Sequence, residues 1–133
     1  MVAALRLAGK RRDSLRQEEK MAVMWVYATT SGRAEAERIG RQVVASRLAA
    51  CANVIGGAIA IYWWEGKIQR GREAVLILKT TQARLKPLIA KIRQLHSYDC
   101  PCIEAIRVVA GYQPYLDWVA REARPRRSAK ARR

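Results

Sequence analysis

Apolar positions in this chain recur with two different periods, and each switch of period marks an element. Residues 21–30, "MAVMWVYATT", form a compact apolar run containing Val23, Trp25, Val26 and Tyr27. Its length and residue types predict a buried strand. From Gly32 the period lengthens: Ile39, Val43, Val44 and Leu48 recur at helical spacing, with Arg38, Arg41 and Arg47 on other faces. This predicts an amphipathic helix over 33–48, capped by Thr30 or Ser31, with Glu35 and Glu37 at its positive end. Residues 51–64, "CANVIGGAIAIYWW", read as a long strand, and Gly56-Gly57 predicts a bulge or bend. Glu65-Gly66 predicts a tight turn with Gly66 at positive φ. The chain then returns through "KIQRGREAVLILKTT", most strongly apolar at Val75–Leu78. Leu85, Leu88, Ile89, Ile92 and Leu95 share a helical stripe, and Pro87 requires that helix to begin near 84–86. Residues 103–110 alternate as a fourth strand. A last helix starts near Pro114, with Leu116, Val119 and Ala123 on one face.

The order is β-α-β-β-α-β plus a C-terminal helix, which predicts an α+β, ferredoxin-like split βαβ fold. Its crossover helices lie on one face of a four-stranded antiparallel sheet. The second face should then alternate apolar with polar. It does not: residues 54–64 and Val75–Leu78 are apolar at both parities. The terminal helix is too short to cover the excess, so a second copy of the chain is the expected cover.

At 133 residues with 50% hydrophobic content, one domain is expected. The net charge of +15 is uneven, with +9 of it in residues 1–20 and 121–133. The expected organisation is an N-terminal extension, 1–20, that is disordered or not native; a globular body, 21–123; and a basic disordered tail, 124–133. Three cysteines do not make a disulfide framework, and residues 1–20 lack the apolar core of a signal peptide. A cytoplasmic, reducing setting is expected, and no stretch is long enough to span a membrane.

Candidate chemistry is sparse. The chain has one histidine, no G-x-S-x-G, no Walker loop, no H-E-x-x-H and no pair of C-x-x-C motifs. An enzyme is therefore not expected. "HSYDCPC", residues 96–102, gathers His96, Cys100 and Cys102. Two thiols two residues apart on a strand point to one side and suit Cu(I) or another soft cation. The alternative is packing, since cysteine is among the most buried residue types. A basic tail could also grip nucleic-acid phosphates. That reading is not favoured: the glycine-aromatic strand motif of RNA-recognition domains is absent, and the central strands are too apolar.

"LAACAN" (48–53), "IYWWEGKI" (61–68), E-x-x-L-x-L-K-T (73–80), "HSYDCP" (96–101) and "YLDW" (115–118) occur in this order. Together they resemble the CutA divalent-cation tolerance family over about residues 22–120. The resemblance implies a homotrimer whose long β-hairpin reaches onto a neighbour, with its tip at Tyr62, Trp64, Glu65, Gly66 and Lys67. It implies a non-enzymatic binding or signalling protein in the response to metal ions. No cofactor is required, and copper, another divalent cation or a small molecule is the candidate ligand. It also implies an inter-subunit cleft lined by Trp64, Glu65, Lys67, Lys79 and Tyr98, with His96 beside them. Three positions depart from the family pattern: Ser97 stands where proline is usual, Cys102 where glutamate is usual, and Ala28 where some members carry a cysteine. A soft-metal site of Cys100 and Cys102 with His96 nearby is thus peculiar to this sequence. Glu73 and Lys79 could equally form a subunit salt bridge.

Overall fold

The computed structural model describes residues 2–126. Eight principal elements follow in chain order: α1 (Val2–Lys20), β1 (Val23–Thr30), α2 (Arg33–Ala45), β2 (Cys51–Trp64), β3 (Lys67–Thr81), α3 (Leu85–Leu95), β4 (Ile103–Arg107) and α4 (Gln113–Glu122). The strands form one antiparallel sheet in the order β2-β3-β1-β4. From β1 onward this is the ferredoxin-like topology that the sequence predicts.

The core lies between the sheet and α2 and α3. Val26 and Ala28 of β1 and Ala74, Leu76 and Leu78 of β3 alternate inward against Ile39, Val43, Leu88 and Ile92. Gly40 allows α2 to lie close on the sheet: a Cβ there would stand 3.1 Å from that of Ala52. The opposite parity, Trp25 and Lys79 among it, faces away from these helices. α4 covers only the end of that second face, where Tyr115 meets Cys51 and Lys79.

β1 pairs with β3 only as far as Thr30↔Ala74, whereas β2 and β3 stay paired to Trp64↔Lys67. Residues 58–73 therefore project as a two-stranded arm of about 20 Å. The register shifts between Ile55 and Ala58, at the predicted Gly56-Gly57 bulge, and Gly57 takes φ 78°. A Cβ at Gly56 would stand 2.5 Å from the Arg33 side chain, which would have to swing aside to admit it. At the tip both turn residues are left-handed, Glu65 at φ 51° and Gly66 at φ 77°, which makes a type I′ turn. Glutamate is strained at such a position. Glu65→Asn is expected to raise the denaturation midpoint at fixed protein concentration, by about 0.5–1 kcal/mol. An unchanged or lower midpoint would mean that the Glu65 carboxylate has a partner outside its own chain.

Four sequence expectations need correction. Thr30 and Ser31 do not cap α2: its N-cap is Gly32, with no side-chain cap bond. Residues 1–20, expected to be disordered or not native, are helical over Val2–Lys20. Their Leu, Ala, Arg, Gln and Glu content favours a helix without an apolar face. α2 stops at Ala45 rather than near 48. Leu48 N–H bonds the Val43 carbonyl and Arg47 N–H that of Val44, a Schellman motif with Arg47, not glycine, at φ 60°. β4 ends at Arg107 rather than 110, because β1 offers it no partner beyond Met24 apart from one bond, from Val108 N–H to the Val23 carbonyl. The basic tail expected over 124–133 lies, beyond Arg126, outside the described residues.

Candidate functional site

The segment 96–102 leaves α3 and crosses beside the base of the arm, held there by a carboxylate from another element. Glu35, in the first turn of α2, is 8% exposed. It accepts hydrogen bonds from Ser31 N–H at 3.0 Å, Ser31 Oγ at 3.1 Å and Ser97 N–H at 3.0 Å, and Arg38 lies 3.5 Å away. Burial alone would raise its pKa. The donors from Ser31 and Ser97 outweigh burial and hold it at about 2. Proline at 97 would lack the N–H that Glu35 uses, so Ser97 and the buried carboxylate function as a pair.

His96 is buried, and both ring nitrogens are engaged. Nε2 lies 2.8 Å from the Thr29 carbonyl, and Nδ1 accepts the Tyr98 N–H at 3.0 Å. These partners place the proton on Nε2. The ring also stacks, tilted, against Tyr98 at 4.8 Å between centroids. His96 thus orients Tyr98.

Tyr98 faces a cavity of about 550 Å³ between segment 97–102 and the arm. Alternation along β2 puts Ala60, Tyr62 and Trp64 on its wall, with Thr29 and Glu73 on the sheet side and Ser97, Asp99, Cys100 and Cys102 opposite. Burial, together with the Glu73 carboxylate, pushes the Tyr98 hydroxyl up to about 12. Burial also raises the Cys102 thiol, and Glu104, which accepts its proton at 3.3 Å, adds to this. Cys102 is therefore held as a thiol rather than a thiolate. Cys100 is exposed, and none of the three cysteines is disulfide-bonded.

The predicted site residues thus separate. Trp64, Tyr98, Cys100 and Cys102 share the cavity, and His96 lies behind Tyr98. Glu65 and Lys67 sit at the hairpin tip, outside the wall. Lys79 is elsewhere: its ammonium lies 5.5 Å from the Trp25 ring and 5.6 Å from the Tyr115 ring, under α4. Six residues of β3, about 20 Å, separate Lys79 from Glu73, too far for a salt bridge within one chain. Among the described residues no three His, Cys, Asp or Glu side chains converge as a metal site. Sequence reasoning passed over Asp99 and Thr29, and placed Glu35 at a helix end without assigning it to the site. Only Glu35 carried a signal, its place in the first turn of a helix after Ser31.

Fold and cavity together define the class: a ferredoxin-like protein with an unpartnered hairpin arm and an acidic, aromatic cleft at its base. The model of the family described as "CutA1 divalent ion tolerance protein" matches residues 24–122, and the chain belongs to that family. It is 35% identical to "Protein CutA, chloroplastic" of Arabidopsis thaliana over 84% of this chain and 63% of the relative. It is 36% identical to the "Divalent-cation tolerance protein CutA" of Archaeoglobus fulgidus, over 71% of this chain and 92% of that one. The chain spans less than two thirds of the plant relatives it matches, 63% in Arabidopsis and 56% in Oryza sativa. The crystal structure of CutA from Xylella fastidiosa superposes with a TM-score of 0.76 at 34% identity, covering 77% of this chain and 99% of that one. Among the described residues no helix is long and apolar enough to cross a membrane.

Proposed function

We propose that three copies of this chain assemble through their arms, and that the cleft at the base of each arm binds a metal ion or small ligand. The protein then acts as a binding or signalling component of the response to metal ions. The arm carries this reading. Ile59, Ile61, Trp63 and Ile68 are exposed on a ribbon that no other element among the described residues covers. A two-stranded ribbon is marginal in water alone, and exposed apolar surface of this kind marks an interface. The names of the relatives, "divalent-cation tolerance protein", support the metal response. Three unpaired cysteines support a reducing, cytoplasmic setting.

Within the cleft, the metal reading rests on Cys100 and Cys102, because His96 could join only by giving up Thr29 or Tyr98. Light scattering is expected to give three times the 15.0 kDa of one chain. A stable monomer at micromolar concentration would overturn the assembly. Calorimetry with Cu(I), Cu(II) and Zn(II) is expected to favour Cu(I), with binding lost in Cys100→Ser/Cys102→Ser. Unchanged Cu(I) binding by that variant would remove the thiols from the site.

A further inference from the structure

The cleft's chemistry points past a bare metal ion. Its wall carries three aromatic side chains, Tyr62, Trp64 and Tyr98, and two carboxylates, Glu73 and Asp99, but, among the described residues, no lysine or arginine. This stands out in a chain of net charge +15. Among the described residues neither carboxylate takes part in an ion pair, the pairs being Arg33–Glu37, Arg38–Glu35 and Arg47–Glu122. Each class of ligand can be weighed against this wall. An anion would meet like charge on two sides. A neutral apolar molecule would strip water from two carboxylates and return nothing. A bare divalent ion needs several donors converging at about 2 Å, and the cleft has no such convergence. A cation spread over an apolar body suits the wall: its charge faces the carboxylates while its carbons and its field lie against ring faces. The cavity, at about 550 Å³, lies within the usual range for small organic ligands.

Resting on the reading that this cleft is the binding site, we infer that its small-molecule ligand is an alkylammonium ion. Glu73 and Asp99 neutralise the ammonium, and Tyr62, Trp64 and Tyr98 enclose the alkyl part. His96 holds the Tyr98 ring through its contact at 4.8 Å and the 3.0 Å bond to the Tyr98 amide, so it positions one wall of the cage without touching the ligand. The raised Tyr98 hydroxyl keeps its proton, and this wall gains no negative charge at neutral pH.

The test titrates the full-length protein at pH 7 with butylammonium chloride and with butan-1-ol, a neutral probe of similar size, following backbone amides by NMR. Butylammonium should bind about tenfold or more tightly than butanol, with shifts at Tyr98 and Glu73. Glu73→Gln and Asp99→Asn, each shown to keep the parent's mass and circular dichroism, should each weaken butylammonium about fivefold or more and leave butanol unchanged. Equal binding of the two probes, or full butylammonium affinity in Glu73→Gln, would overturn the inference. If butylammonium fails while Cu(I) still binds through Cys100 and Cys102, the ammonium assignment falls and the cleft stands as a metal site. If neither binds, both the inference and the cleft reading fall.

Discussion

Ile61→Asp/Trp63→Asp is expected to run as a monomer at micromolar concentration, where the parent chain is expected to run as a trimer. Both residues lie on one edge-to-tip row of the arm and are 71% and 72% exposed in the single chain. Burying an isoleucine or tryptophan side chain is worth about 1.5–3 kcal/mol, so two such residues in three copies supply on the order of 10 kcal/mol. Aspartate removes that gain and adds a carboxylate that would have to be desolvated against apolar surface. The body should stay folded, because its core of Val26, Leu76, Leu78, Leu88 and Ile92 lies on the other side of the bulge. Light scattering reads the mass and circular dichroism the fold. A variant that keeps the trimeric mass would show that the arm does not make the interface.

The second large effect concerns Glu35. Glu35→Gln is expected to cost about 2–3 kcal/mol, since an amide has one acceptor oxygen for three donors and leaves Ser31 or Ser97 N–H short of a partner. The pH dependence has a definite sign. The carboxyl sits at about 2 in the folded chain against an ordinary value of 4.5. Its stabilisation, about 3 kcal/mol, is therefore complete above pH 4.5 and is lost as pH falls from there through 2. Urea denaturation at pH 7, 4 and 2 should show this loss in the parent and a flatter profile in Glu35→Gln. The same acid sensitivity in both would assign it to other groups.

The sequence makes the fold legible where local chemistry and tertiary structure agree. The tip turn and the bulge at Gly56-Gly57 follow from glycines free to take positive φ, and the start of α3 from Pro87, which is tolerated only in a first turn. The end of α2 was hidden because the left-handed residue is Arg47, which carries no stop signal. It stays there because its guanidinium reaches Glu122 at 2.7 Å and its carbonyl accepts from Arg84. The site was only half legible. Spacing placed Cys100 and Cys102 on one side of an expected strand, but both precede β4, which begins at Ile103, and no pattern revealed that His96 spends both nitrogens on the backbone. Nor could it reveal that Lys79 lies under α4, because distance along β3 is fixed by register and not by motif.

The arm also bears on how the newly made protein survives. In the single chain the arm is a bare ribbon of isoleucine and tryptophan, the kind of surface that nucleates precipitation. Arg70 stands across from Ile61 and Arg72 across from Ile59, so the ribbon bears a row of positive charge beside its sticky row. Ribbons that met out of register would set guanidinium against guanidinium, the repulsion by which gatekeeper charges disfavour mispairing.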